Sequence, residues 1–292
     1  MNYLEQLSGT GVAIVTPFNT NKQVDYTALE AIINYVIEGG VNYIVTLGTT
    51  GETPTISKTE KTTIINFTYE KVNGRVPIVV GVGGNNTLET IEDLNTYPLE
   101  KAIAVLSVSP YYNKPSQEGL YQHYKAIAEA SPKPIILYNV PGRTNRNITA
   151  ETTLRLATLD NIIGIKEASG DFDQCMEIIK NKPANFFVVS GDDGLSLAQI
   201  ATGMTGVISV AANAFPKEFS TMINLCLQGN FAEARKIHFS LLKAYHLMFA
   251  ENNPAGVKAF MHYKGLLANE LRLPLIPVSK GLDEAVKAFK LN

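Results

Sequence analysis

Short apolar runs alternate with amphipathic stretches from the N-terminus to about residue 228, and this rhythm constrains the fold more than any other feature. Strands are expected at residues 11–17, 43–48, 77–83, 102–109, 134–140, 162–167, 186–191 and 206–211. Helical periodicity follows each of them, at 25–39, 57–73, 86–96, 117–130, 149–158, 171–181, 194–202 and 215–228. The strand segments are near-continuous Val, Ile and Leu rather than alternating, which marks a parallel sheet covered by helices on its outer face. Eight β-then-α units is the number that closes an α/β (β/α)8 TIM barrel, here expected over residues 1–228. A doubly wound open sheet is the competing architecture, weakened because no Gly-x-Gly-x-x-Gly follows the first strand. Beyond residue 228 no strand is visible. Helices expected at 231–249, 254–268 and 280–290 form a C-terminal helical extension, 229–292, too small to stand alone and therefore packed on the barrel.

Charge narrows the class of partner. The chain carries 25 basic and 27 acidic side chains, a net charge of −2, with no cluster of Lys and Arg. Neither a nucleic-acid groove nor an anionic membrane surface is expected as a partner. The opening MNYLEQLSGTGVAIVTPF lacks a basic region followed by a long apolar core. No apolar run approaches the roughly 20 residues that span a bilayer. A cytoplasmic protein is the expectation. Cys175 and Cys226 both fall in helical stretches and are expected to be buried free thiols. His123, His238, His246 and His262 also lie in helical stretches, none just after a strand. The usual general base and metal ligand are thus expected away from the site, and no metal or cofactor is anticipated.

In a barrel of this kind chemistry sits in the loops after the C-terminal ends of the strands. Lys166 ends the apolar run Asn161-Ile-Ile-Gly-Ile-Lys166. Burial disfavours an ammonium, and a neutral amine attacks carbonyls. Alternation places Ile162, Gly164, Lys166 and Ala168 on one face, leaving room beside the amine. Tyr138 ends the neighbouring strand, where a phenol can pass protons to and from a carbinolamine. Gly48-Thr49-Thr50-Gly51 offers N–H and O–H donors at a strand-to-helix turn. Arg143 follows a Pro-Gly turn, within reach of a carboxylate at the mouth. Each has a plain structural alternative: a rim lysine paired with Glu167, a half-buried tyrosine, threonines capping a turn, a solvated arginine. Asp192-Asp193 is read as an N-cap for the helix at 194–202 rather than a metal site. An amine and a phenol without a metal set point together to Schiff-base chemistry on a keto acid.

Gly48-Thr49-Thr50-Gly51-Glu52, Pro110-Tyr111-Tyr112-Asn113, Tyr138-Asn139-Val140-Pro141-Gly142-Arg143-Thr144 and Gly164-Ile165-Lys166-Glu167-Ala168-Ser169-Gly170 together resemble the dihydrodipicolinate synthases of the N-acetylneuraminate lyase superfamily. The resemblance runs over essentially the whole chain. It implies a lyase that condenses pyruvate with L-aspartate 4-semialdehyde, in lysine and diaminopimelate biosynthesis, without a cofactor. It further implies that Lys166 forms the imine, that Tyr138 donates and accepts protons, and that Thr49 links Tyr138 to Tyr112. In the family that last tyrosine comes from the neighbouring subunit of a homodimer or homotetramer. Thr50 is implied to bind the pyruvate carboxylate and Arg143 that of the semialdehyde. Gly191 and Ile208 are implied to line the pocket through backbone groups. N-acetylneuraminate lyase, a 2-keto-3-deoxy sugar acid aldolase and a catalytically silent keto-acid sensor are the alternatives; Arg143 argues against the sugar aldolases, whose aldehydes carry no carboxylate. The resemblance also brings an interface pocket for L-lysine at the positions of Thr53, Pro54, Lys58, Lys61, Asn85, Glu89 and Tyr111, where Asn85, Glu89 and Tyr111 fit and Lys58 and Lys61 stand in place of residues that are often histidine in inhibited relatives. Lys58 and Lys61 are expected to repel a cationic ligand there, so weak or absent inhibition by L-lysine is expected.

Overall fold

All eight apolar runs form strands: β1 (Gly9–Ala13), β2 (Tyr43–Thr46), β3 (Ile78–Gly81), β4 (Ala104–Val108), β5 (Ile135–Asn139), β6 (Ile162–Glu167), β7 (Phe187–Ser190) and β8 (Gly206–Ser209). In this computed structural model, which describes residues 2–291, they pair in chain order into a closed parallel barrel, β8 returning to β1. The helices are α1 (Tyr3–Gln6), α2 (Tyr26–Glu38), α3 (Lys58–Val72), α4 (Thr87–Thr96), α5 (Gln117–Ala130), α6 (Pro141–Thr144), α7 (Ala150–Leu156), α8 (Phe172–Asn181), α9 (Ser196–Ala201), α10 (Pro216–Leu227), α11 (Phe231–Phe249), α12 (Ala255–Tyr263) and α13 (Lys280–Lys287). The short α1 and α6 are additions to the expected set. Six of the other starts follow local chemistry: Asp25, Asn86, Ser116, Thr149 and Asp171 each accept a first-turn N–H, and Ser57 with Glu60 closes a capping box on α3.

The first strand ends earlier than expected. Beyond Ile14, whose N–H still donates to the Val45 carbonyl at 3.0 Å, the chain leaves the ladder: Val15 N–H donates to Asn213 Oδ1, and Thr16 Oγ1 donates to the Gly51 carbonyl. Pro17 has no N–H to continue pairing.

Two apolar layers result. Outward side chains of the strands pack under the helices, and a second cluster fills the barrel interior, including Tyr43, Val45, Val79, Leu106, Ile136, Phe187 and Ile208. Large inward rings are matched by glycines opposite. A Cβ at Gly11 would stand 2.2 Å from the Tyr43 ring, and one at Gly164 2.7 Å from Phe187. The pairing of β5 with β6 shifts register between Ile135 and Ile136, which face Ile162 and Gly164. Ile163 therefore turns inward and Ile162 outward, so the expected shared face of Ile162 with Gly164 and Lys166 does not form. A bulge adds one residue to a strand and breaks its alternation.

In the extension, α11 packs against α10 and α9, and α12 against α11. The extension is tied to the barrel by buried charge. Lys258 on α12 and Glu52 after β2 are both inaccessible to solvent and form an ion pair. Glu52 also accepts from the Arg272 backbone N–H at 3.1 Å, while Arg272 grips Glu60 of α3 and holds its carboxyl down to about 2. Both cysteines are free and buried. Among the described residues, no helix is long and apolar enough to cross a membrane.

Candidate active site

Lys166 and Tyr138 sit side by side because β5 and β6 pair them in register near their C-terminal ends. Lys166 is 5% exposed and its Nζ lies 4.3 Å from the centre of the Tyr138 ring. Among the described residues, Lys166 forms no ion pair. The plain alternative of pairing with Glu167 fails because successive strand residues face opposite ways. Glu167 is buried behind the strand, accepting from Asn139 Nδ2 at 3.0 Å, Gln174 Nε2 at 3.0 Å and Ser169 N–H at 2.7 Å. Burial raises its carboxyl above the ordinary range, and those donors oppose the rise. The Glu167 carbonyl accepts Gly191 N–H at 2.8 Å and the Asn139 carbonyl accepts Ala168 N–H at 2.9 Å, so the ends of β5, β6 and β7 are held together.

A cavity of about 660 Å³ opens above Lys166, lined by Thr49, Thr50, Tyr138, Arg143 and Gly191. Thr49 and Thr50 begin a 3-10 turn after β2, flanked by Leu47 and Glu52 in left-handed backbone conformation. Thr50 is buried, and its Oγ1 accepts from Asn253 Nδ2 at 2.9 Å. Arg143, on α6, donates from Nη2 to the Asn253 carbonyl at 3.2 Å. Gly191 must be small, since a Cβ there would meet Lys166 Cε at 2.9 Å and Ala168 Cβ at 2.6 Å. Ile208 does not line this cavity. It packs inside the barrel on β8, and Val210, just past the strand end, takes the lining position.

Tyr112 is not brought to Lys166 within one chain. It is 88% exposed, in a left-handed conformation with φ of 72°, uncommon for a bulky residue. Among the described residues, no hydrogen bond joins Thr49 to either Tyr138 or Tyr112. Asp192 Oδ1 accepts from Gly194 and Leu195 N–H in the turn before α9, whose N-cap is Leu195 without a side-chain cap, so the expected capping of that helix does not form. Asp193 is buried, accepts from Val210 and Ala211 N–H at 3.1 and 2.8 Å, and burial pushes its carboxyl up to about 6.

Residues of α11 also line the cavity, Leu242, Tyr245, His246 and Phe249 among them, with Asn253 beyond the helix end. The expectation that all four histidines lie away from the site is therefore corrected for His246. No signal in the sequence near these residues points to the barrel mouth, because they reach it by the packing of a helix from outside the β/α repeat.

A second cavity, about 300 Å³, shares Thr49, Tyr138 and Arg143 and extends to Thr53, Pro54, Lys61 and Tyr111. Lys61 faces it as expected. Lys58 does not: its ammonium turns to α4, 3.0 Å from Asp93 and 3.7 Å from Glu92.

This arrangement has counterparts of known identity. A 4-hydroxy-tetrahydrodipicolinate synthase of Parabacteroides distasonis is 54% identical over 272 residues, 93% of this chain and 92% of that protein. Another from Phocaeicola vulgatus is 53% identical over 285 residues, 97% of this chain and 96% of that one. Among solved structures, the chloride-inhibited dihydrodipicolinate synthase of Acinetobacter baumannii complexed with pyruvate superposes with a TM-score of 0.94 at 41% identity, covering 96% of this chain and 97% of that one. The sequence profile of the dihydrodipicolinate synthetase family matches residues 6–290. On that match and these identities, the chain belongs to the dihydrodipicolinate synthetase family.

Proposed function

We propose that this chain catalyses the reaction for which its Parabacteroides distasonis relative is named, the synthesis of 4-hydroxy-tetrahydrodipicolinate from pyruvate and L-aspartate 4-semialdehyde, in the cytoplasm, within lysine and diaminopimelate biosynthesis. The observation that carries the reading is the buried Lys166 amine against the Tyr138 ring, in a cavity that also holds Thr50 and Arg143. The Acinetobacter baumannii relative was crystallised with pyruvate, the keto acid this site suits.

The Lys166 amine adds to C2 of pyruvate and expels the carbonyl oxygen as water, leaving an imine. Loss of a C3 proton gives the enamine, with the imine nitrogen as electron sink, so no resident cofactor or metal takes part. The enamine carbon attacks the aldehyde, whose oxygen takes a proton and becomes the hydroxyl. The amino group of the semialdehyde then displaces Lys166 from C2, closing the ring and freeing the amine. Tyr138 carries the protons. Thr49 relays them to the partner subunit's Tyr112 in a homodimer, alone or within a tetramer. Arg143 orients the aldehyde through its carboxylate.

Borohydride added with pyruvate should fix an adduct on Lys166, and Lys166→Ala should abolish both adduct and turnover. An adduct on Lys101 or Lys133, or an active Lys166→Ala enzyme, overturns the assignment.

A further inference from the structure

Asn253 lies between α11 and α12, is 4% exposed, and lines the cavity from a part of the chain outside the β/α repeat. Its two polar ends are treated differently. Nδ2 donates to Thr50 Oγ1 at 2.9 Å, while Oδ1 is buried with no hydrogen-bond partner among the described residues. Most buried polar atoms in folded proteins are paired, so an unpaired amide oxygen on a residue that lines a cavity calls for an explanation. The consequence for Thr50 is specific. A threonine hydroxyl has one proton and two lone pairs. When an amide N–H occupies one lone pair, the proton must point elsewhere, and among the described residues Thr50 donates to no acceptor.

We propose that Asn253 is a positioning residue for the keto acid: its amide aims the Thr50 hydroxyl proton into the cavity, at the substrate carboxylate. The proposal rests on the assignment of Thr50 to that carboxylate given above. The Asn253 carbonyl, which accepts Arg143 Nη2, is backbone and survives any side-chain change. Substitutions at Asn253 therefore separate the keto acid from the aldehyde.

The measurement is half-saturation of pyruvate in borohydride trapping, followed by intact mass without aldehyde, on the full-length oligomer. Asn253→Ala should raise it roughly three- to tenfold, the range of a single hydrogen bond. Asn253→Asp should raise it further, because its carboxylate captures the hydroxyl proton. In a Thr50→Val background, Asn253→Ala should add nothing. Half-saturation for the aldehyde in steady-state turnover should stay within about twofold in Asn253→Ala, where a general loosening of the site would move both substrates. Should the alanine variant not fold, Asn253→Asp keeps the side-chain shape. Its charge repulsion is then common to both backgrounds, and the part that vanishes with Thr50→Val reads the hydroxyl. Unchanged pyruvate half-saturation, or an undiminished effect in Thr50→Val, overturns the proposal while the Thr50 assignment stands. If Thr50→Val itself changes nothing, the assignment falls and the proposal with it.

Discussion

Arg143 and Lys61 show how much the meaning of one charge depends on what it faces. Arg143 is exposed at the mouth, fixed by a single bond to the Asn253 carbonyl, with its remaining donors open to a ligand. Arg143→Ala should raise half-saturation for the semialdehyde roughly 10- to 100-fold, the worth of a hydrogen bond to a charged group, and pyruvate far less. Steady-state kinetics with each substrate varied decides it; equal losses would make the arginine structural. Of the two lysines only Lys61 faces the second cavity, which Arg143 also lines, since Asp93 and Glu92 occupy Lys58. The expected repulsion of L-lysine thus rests on one ammonium instead of two. At about 8 Å and an effective dielectric near 20 that amounts to about 2 kcal/mol before screening. Calorimetry should find L-lysine binding weak, and tighter in Lys61→Ala; no change in that variant would show that the cavity tolerates the charge. A third residue sets an acid limit. His123 is buried on α5, hydrogen-bonded to Thr87, and burial pushes its imidazole down to about 4 from an ordinary 6.5. Its unfolded form binds the proton first, so its stabilising contribution is present above pH 6.5 and is lost as pH falls toward 4. Between pH 6.5 and 5 the wild type should lose about 2 kcal/mol relative to His123→Gln, read from paired denaturant titrations.

Among the elements, β6 was legible because a polar residue at the end of a buried run is conspicuous, and register with β5 then delivers Tyr138 beside it. The inward turn of Ile163 was not legible: a bulge is set by pairing geometry and leaves no mark on a run of isoleucines. Asp193 likewise reads as one of two capping aspartates, and only the folded chain brings it beneath the loop after β8. The contribution of α11 and the segment after it, His246 and Asn253 included, is tertiary in origin and outside any β/α pattern. What fastens that segment is the Glu52–Lys258 pair. Burial holds the Lys258 amine below the ordinary lysine range, against the pull of Glu52. Removing one member strands the other charge, so Lys258→Met should cost about 3–5 kcal/mol, where replacing both with apolar side chains costs much less. Thermal melts of Lys258→Met and the double variant Glu52→Leu/Lys258→Met test this; a double variant no better than the single would place the cost elsewhere.

For the whole molecule, the chain gathers Lys166, Tyr138, Thr50 and Arg143 around one cavity but presents Tyr112 outward on strained backbone. If the relay is completed between chains, Tyr112→Phe mixed with Tyr138→Phe should regain activity on subunit exchange, since one site of each hybrid dimer carries neither change. Exchange demonstrated by mass without recovery would sink the cross-subunit relay. The closing contacts of Asn253 and Lys258 bear on synthesis as well as on catalysis. A ribosome delivers all eight strands, Lys166 and Tyr138 before it delivers these two residues. A nascent or truncated barrel thus holds the Lys166 amine while Thr50 lacks its amide donor and Glu52 its counter-ion. With Lys166 as the nucleophile proposed above, translation order leaves its surroundings incomplete until the segment carrying Asn253 and Lys258 has docked.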